Sequence, residues 1–217
     1  IDYLVVSHTE PDHAGSIERL LTYSPQMKIL ATSCAIGFLR EIVNRDFVGI
    51  PVRDNQEMLI GSRTLRFLIV PNLHWPDTMY TFIQEEQILV TCDSFGSHYC
   101  VPQVTSDGIV SEEDYQKALR YYFDNIIGPF KKYMLQALER VEPLDISMIC
   151  TGHGPVLAGS RIRSVMEQYR EWSTVVNPNQ KKTVVIPYVS AYGYTALLAE
   201  KIQEGIEDSG EVEVRLY

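Results

Sequence analysis

The sequence predicts an α/β protein built of a large first part and a short second part. Apolar strand-like runs alternate with helix-period segments near both ends, which is typical of βαβ units. The middle of the chain instead reads as short strands joined by turn residues. With 217 residues, of which 45% are hydrophobic and 22% charged, the chain is globular and long enough to bury a core.

The first strand-to-helix connection carries the densest chemistry in the chain. A strand-like run over residues 1–7 leads into residues 8–13, with the sequence HTEPDH, and residues 14–21 continue at helical spacing. A loop held between a strand and a helix can turn its side chains inward while its neighbours keep it still. Four side chains of this loop are able to bind metal: His8, Glu10, Asp12 and His13.

The following segments extend the βαβ pattern and then change it. Residues 28–32 are predicted as a strand and residues 35–43 as an amphipathic helix. From 47 to 70 the turn residues favour antiparallel hairpins, and residues 79–91 form another hairpin around an acidic turn. A candidate metal ligand follows each hairpin, His74 after the first and Asp93 after the second.

A long helix is predicted over residues 112–141, capped by Ser111 and bent at residues 128–129. Its aromatic residues either pack in the core or line a substrate pocket, and they are Tyr121, Tyr122, Phe123 and Phe130. Residues 145–150 read as a buried strand that leads to His153. A last helix of the first part covers residues 161–172.

A polar, proline-containing stretch at residues 177–182 predicts a linker between two domains, residues 1–176 and 183–217. The second domain begins with a strand, a hydroxyl-rich turn and a helix. Backbone amides at the helix start, together with the turn's hydroxyls, are able to face an anion, although serine and threonine also simply cap helices. The candidate phosphate-binding residues are Ser190, Ala191, Tyr192, Gly193, Tyr194 and Thr195.

Four of the five histidines end strands or lie in the opening motif. A single histidine at a strand end is more often a surface or hydrogen-bonded residue than a ligand, but the clustering favours metal binding. One site is predicted from His8, Glu10 and His74. A second is predicted from the remaining ligands Asp12, His13 and His153, with Asp93 able to bridge the two.

The ligand types indicate which metal would bind. Three carboxylates among seven ligands favour a hard ion such as iron or manganese, whereas zinc sites that activate water use mostly histidine. Iron would also make redox chemistry available. A bridging carboxylate between two irons would suit the binding of a diatomic molecule across the pair, with each iron supplying one electron.

Charge and cysteine content exclude several classes of protein. A net charge of −9 disfavours a nucleic-acid partner. The sequence contains no apolar run long enough to span a membrane and no signal segment, so a cytoplasmic protein is expected. The four cysteines lack a Cys-x-x-Cys pair, as expected of buried thiols in a reducing compartment.

These motifs together resemble the flavodiiron proteins, also called A-type flavoproteins. The resemblance rests on residues 8–13, on His74 in NLHWPD, on Asp93 in CDSFG, on His153 in GHG and on the turn at 190–195. It implies a metallo-β-lactamase-like αββα sandwich followed by a flavodoxin-like doubly wound domain. Tyr194 departs from the family, whose phosphate turn often has asparagine or serine there, so contact with phosphate at that position would involve the backbone.

The resemblance implies two irons held by the seven ligands above, FMN as the second cofactor, and reduction of dioxygen to water or of nitric oxide to nitrous oxide. It also implies an electron donor such as rubredoxin. In the family a head-to-tail homodimer brings the FMN of one chain beside the irons of its partner. His98 lies outside the ligand set and is interpreted either as a proton donor to bound oxygen or as a structural residue.

Two other functions compete with this one, a binuclear zinc hydrolase of the same fold and a metal-free docking module. Glu10 and the 190–195 turn argue against a hydrolase, and the complete ligand set argues against a vestigial site. The sequence starts within a strand pattern and ends on a strand with no following partner. We therefore expect a fragment that lacks the family's first strands and most of its flavodoxin-like domain.

Overall fold

The computed structural model describes residues 1–174 and 182–217. The chain divides into two compact units, Ile1–Thr174 and Val175–Tyr217. The predicted linker at residues 177–182 lies outside the described residues except for Lys182, which begins a strand.

The first sheet of the first unit has three parallel strands in sequence order. Its strands are β1 (Tyr3–Val5), β2 (Lys28–Ala31) and β3 (Val48–Pro51). The helices between them are α1 (Pro11–Ala14), α2 (Ile17–Tyr23) and α3 (Ser33–Ile42). The prediction that residues 47–51 belong to an antiparallel hairpin is wrong. Because β3 follows a helix, it returns as a crossover strand and pairs parallel to β2.

The second sheet has six strands, also in sequence order. They are β4 (Glu57–Ile60), β5 (Arg63–Ile69), β6 (Met79–Ile83), β7 (Ile88–Cys92), β8 (Met148–Thr151) and β9 (Leu157–Ala158). Neighbours from β4 to β7 are antiparallel, which confirms the predicted hairpins around residues 61–62 and 84–87. The pairing of β7 with β8 is parallel, so β5, β7 and β8 all end at the same edge.

The two sheets pack face to face between two layers of helices. Leu30 and Val52 of the first sheet region share a buried cluster with Phe67 and Met79 of the second. The outer face of the first sheet packs against α2 and α3, for example Ile29 with Leu39. The outer face of the second sheet packs against the later helices. This αββα layering confirms the predicted metallo-β-lactamase-like fold.

The later helices of the first unit are α4 (Glu112–Tyr122), α5 (Lys131–Val141) and α6 (Ser160–Ser173). The Ser111 hydroxyl accepts a hydrogen bond from the Asp114 amide at 3.3 Å, as predicted for the cap. The prediction of a single long helix over residues 112–141, bent at residues 128–129, is wrong in detail. A π-helical turn (Phe123–Ile127) and a 3₁₀ turn (Gly128–Phe130) interrupt it, because Pro129 lacks the amide that a continuous helix needs.

The second unit is a βαβ motif. It contains β10 (Lys182–Ile186), α7 (Tyr194–Glu207) and β11 (Val212–Leu216), with the two strands parallel. The sequence pattern predicts β10 over residues 183–189, but it ends at Ile186, and residues 187–193 connect it to the helix. Throughout the described residues of both units, the helices are too short or too polar to cross a bilayer.

Candidate metal centre and anion-binding turn

The candidate metal ligands lie where strands of both sheets end. His8 follows β1, and Glu10 is the N-cap of α1, which carries Asp12 and His13. His74 follows β5, Asp93 follows β7 and His153 follows β8. Because these strands end at one edge of the sandwich, side chains far apart in sequence converge there.

One group of donor atoms surrounds the first half of the cluster. The His74 Nε2 atom lies 2.9 Å from Glu10 Oε2 and 3.1 Å from Asp93 Oδ2. The His8 Nε2 atom lies 3.4 Å from the same glutamate oxygen and 3.3 Å from the same aspartate oxygen. These four residues can hold one metal ion.

A second group surrounds the other oxygen of Asp93. The Asp93 Oδ1 atom lies 3.0 Å from His13 Nε2 and 3.3 Å from His153 Nε2. The carboxylate of Asp12 approaches the same imidazoles, with 3.5 Å to His13 and 3.3 Å to His153. The grouping of these side chains matches the one expected from the sequence.

The spacing of these atoms fits metal coordination. Ligands at about 2.1 Å from one ion are separated by roughly 3.0 Å in an octahedral site and 3.4 Å in a tetrahedral one. The eight nitrogen–oxygen separations run from 2.9 to 3.5 Å. Neither Asp93 oxygen makes a hydrogen bond within the described residues, although the side chain is only 1% exposed. A buried carboxylate without such bonds is costly unless a cation compensates it.

Gly152 keeps room for this arrangement. A Cβ atom at this position would come within 2.9 Å of the His13 ring and 3.1 Å of Asp93 Oδ1. Any larger residue would therefore push two candidate ligands apart. The glycine lies directly after β8, where the chain turns toward His153.

The electrostatics of the cluster keep its donors ready to bind a cation. Burial lowers the pKa of His8 to about 4, aided by the nearby His13 and His74 and opposed by Asp93. Burial raises the pKa of the Asp93 carboxyl, but the His74 imidazole and the other histidines outweigh it, so the pKa lies below its usual range. Asp93, followed by Glu10, raises the pKa of His74. A neutral His8 and an ionised Asp93 are the forms that bind metal.

Aromatic residues surround the open side of the cluster. The His98 ring lies 4.9 Å from the Tyr122 ring and 5.4 Å from the His153 ring, centroid to centroid. Phe130 lies 6.3 Å from His74. Of the aromatic residues predicted either as core or as pocket, Tyr122 and Phe123 are buried while Tyr121 is exposed. The structure thus brings His98 next to the cluster through His153 and Tyr122.

Two further buried residues, one beside His8 and one on the turn that carries His74, were not anticipated from the sequence. Cys92 precedes Asp93, and its Sγ atom lies 4.0 Å from His8 Nε2. Asp77 is 1% exposed, both its oxygens lack hydrogen bonds within the described residues, and burial raises its pKa. The turn after β5 that carries His74 also carries Asp77. The only sequence signal for Asp77 was that it is the acidic residue of NLHWPD, and its spacing from His74 does not assign it a role.

The turn of the second unit has the features of an anion site. Gly193 is the N-cap of α7 and has φ of 83°, a left-handed conformation that favours glycine. The Ser190 Oγ atom is buried and has no hydrogen-bond partner in the described part of the chain. Tyr192 and Tyr194 are 89% and 79% exposed, so their phenol rings leave the turn open. Tyr194 and Thr195 begin the helix, whose free amides favour a negative charge.

Comparison with known proteins relates this chain to one family. The family model described as "ODP family beta lactamase" matches residues 1–154. A flavo-diiron protein FprA2 from Clostridium acetobutylicum is 38% identical over 210 residues, which is 95% of this chain and 52% of that protein. A type A flavoprotein from Rhodobacter capsulatus is 37% identical over 223 residues, covering 100% of this chain and 50% of its own. This chain thus spans about half the length of these relatives.

Solved structures give the same relationship. The flavodiiron protein of Giardia intestinalis superposes with a TM-score of 0.77 at 30% identity, over 100% of this chain and 53% of that chain. The rubredoxin oxygen:oxidoreductase of Desulfovibrio gigas gives a TM-score of 0.75 at 29% identity, over 100% of this chain and 54% of that chain.

Proposed function

Because this chain belongs to the flavodiiron protein family, we propose that the protein reduces dioxygen to water, nitric oxide to nitrous oxide, or both. Family members are oxidoreductases that carry a diiron centre and a flavin. The iron ligands proposed here are His8, Glu10, Asp12, His13, His74, Asp93 and His153.

The observation that carries this proposal is the position of Asp93. Each of its oxygens faces a different pair of histidines at 3.0 to 3.3 Å. With one oxygen facing each group, Asp93 would contribute a ligand to both halves of the site. A pair of irons held there would supply two electrons and adjacent binding positions for a diatomic molecule.

The residues around this centre have different proposed roles. Glu10 and Asp12, which are 29% and 51% exposed, provide an anionic ligand on each side and keep the opening polar. His98 and Tyr122 lie beside His153 and can hold protons near the second group. Burial raises the pKa of Tyr122 well above its usual range, so its hydroxyl keeps its proton. Phe130 places an apolar ring 6.3 Å from the His74 ring.

The second unit supplies the proposed FMN site. The FMN phosphate would bind to the Ser190 hydroxyl, which has no other partner in the described residues, and to the start of the fourteen-residue helix α7, which follows the left-handed Gly193. FMN would then pass electrons to the centre within a head-to-tail homodimer. The relative from Desulfovibrio gigas is named for rubredoxin and oxygen, which supports these as donor and substrate. All four cysteines are free thiols, which supports a cytoplasmic location. The expectation that they are buried is wrong for Cys34 and Cys100, which are exposed.

Metal analysis combined with an optical spectrum of the anaerobically purified whole protein tests the proposal. We expect two irons per chain, a flavin spectrum, and oxidation of the reduced flavin when oxygen or nitric oxide is added. Protein that carries zinc alone and hydrolyses an ester or thioester would contradict the proposal and favour a binuclear hydrolase.

A further inference from the structure

The end of β7 directs two consecutive side chains into the metal centre. Successive residues of a regular strand point to opposite faces of the sheet. Here the register with β8 shifts between Val90 and Cys92, and Cys92 has a left-handed backbone with φ of 52°. As a result, Cys92 shares a cluster of donors with Asp93 instead of pointing away from it.

Cys92 completes a set of donors different from the two groups described above. One ligand atom each from Cys92, Asp93, His8 and His13 lie within 4.8 Å of one another. This set takes one histidine from each of the two groups, so a single ion bound there would exclude the pair. Cys92 is 6% exposed, and Asp93 and His13 each have a buried ligand atom that lacks a hydrogen bond in the described chain.

The distances permit a metal–sulfur bond after a small movement. An ion at about 2.3 Å from sulfur and 2.1 Å from nitrogen places these two atoms roughly 3.6 Å apart in a tetrahedral site. The Cys92 Sγ and His8 Nε2 atoms are 4.0 Å apart. Rotation of one side chain closes this difference. Cys92, His8 and His13 also line one cavity of about 280 Å³, which gives an ion room to enter.

We propose that the centre binds a single soft divalent cation of the zinc or cadmium class through Cys92, His8, His13 and Asp93, in competition with the iron pair. The inference rests on the metal-binding role proposed above and adds a ligand to it. Soft cations select thiolate and imidazole, whereas hard cations select the carboxylates Glu10 and Asp12. Binding forms one metal–sulfur bond, breaks the S–H bond of Cys92 and releases its proton to solvent.

Cadmium is the probe and manganese is its hard counterpart of equal charge. Exposed Cys34 and Cys100 are first replaced by serine in the whole protein, so that their thiols do not bind the probe. Titration of the metal-free protein with cadmium should give a near-ultraviolet thiolate-to-metal band that saturates at one equivalent. Manganese should give no such band. Cadmium bound first should block iron uptake.

Two matched variants distinguish cadmium binding by Cys92 from cadmium binding by Cys150 of β8, which lines the same cavity. Cys92→Ser should abolish the band and weaken cadmium binding at least tenfold, since loss even of a residue supporting a ligand costs roughly 10–100-fold in affinity. Manganese binding should stay within about twofold of the parent. Cys150→Ser should keep both the band and the cadmium affinity.

A second measurement keeps the inference testable if Cys92→Ser fails to fold. In the parent protein, alkylation of Cys92 by a small reagent should be slowed by cadmium but not by manganese. A band absent from the parent, or retained in Cys92→Ser, overturns the inference while iron binding stands. Failure of the protein to bind iron, manganese or cadmium would overturn the proposed diiron centre as well.

Discussion

The metal centre and the 190–195 turn both follow strands, but they are built in different ways. The centre draws its seven candidate ligands from four separate strand ends and depends on both sheets. The turn instead is one continuous segment that follows β10 and includes the start of α7, and its proposed anion-binding groups are backbone amides and the Ser190 hydroxyl. Removing one central ligand from the metal centre should abolish metal binding, because the other ligands depend on it. Removing one group from the turn should lower the affinity for an anion only by the contribution of that group.

The largest effect is expected from Asp93→Ala. Because each oxygen of Asp93 faces a different group of ligands, its removal should lower the iron content from two per chain to nearly none. Metal analysis of the anaerobically purified variant measures this directly. Asp46→Ala, which removes an exposed carboxylate, is the control and should keep both irons. Retention of one tightly bound iron by Asp93→Ala would show that the two groups are independent.

Much of the centre could be predicted from the sequence because its strongest signal is local. Residues 8–13 place four candidate ligands within six positions, and strand patterns lead to His74, Asp93 and His153. The loop predicted for residues 8–13 is wrong in part, since Asp12 and His13 lie on α1. The position of Cys92 in one donor cluster with Asp93 could not be predicted, since alternation along a strand places the two side chains on opposite faces and only the register shift of β7 changes this. The parallel pairing of β3 was also missed, because strand direction depends on a tertiary crossover and not on composition.

The next largest effect is expected on the free energy of unfolding, when a buried candidate ligand and a more exposed one are each replaced by alanine. The His8 side chain is 0% exposed and that of His153 is 30% exposed. In metal-free protein, His8→Ala should lower the free energy of unfolding by about 2–3 kcal/mol, as for other buried truncations, and His153→Ala by about 0.5 kcal/mol. Urea denaturation measures both.

Imidazole in solution provides a second comparison of the same variants. It should restore iron binding to His153→Ala, whose vacated position faces solvent, and fail with the enclosed His8→Ala. Equal rescue of the two variants would show that the halves of the centre do not differ in access.

A smaller effect is expected from pH in the metal-free protein. The pKa of His8 is about 4 in the folded state and 6.5 without the fold, so the unfolded chain binds a proton that the folded one does not. Stability contributed by His8 is therefore present above pH 6.5 and is lost as the pH falls toward 4. The contribution lost by pH 5 is about 2 kcal/mol, and the raised pKa of His74 offsets part of it.

Urea denaturation at pH 7 and pH 5 in the presence of a chelator measures this loss. His8→Asn removes the titrating group and should make stability less sensitive to pH over this interval. An unchanged pH dependence in that variant would assign the effect to other groups.

The smallest effect is expected in the 190–195 turn. Ser190→Ala removes one hydroxyl from the proposed phosphate site, and a single hydrogen bond of this kind contributes about 1 kcal/mol. FMN affinity of the whole protein should therefore fall about fivefold. Riboflavin, which lacks the phosphate, should bind the variant and the parent equally. Tyr194→Phe should leave FMN affinity unchanged, because this side chain is 79% exposed and the proposed contact at that position is made by the backbone amide. Fluorescence quenching titrations with both flavins measure the affinities, and an equal loss for riboflavin would show that Ser190 supports the fold of the turn and does not bind phosphate.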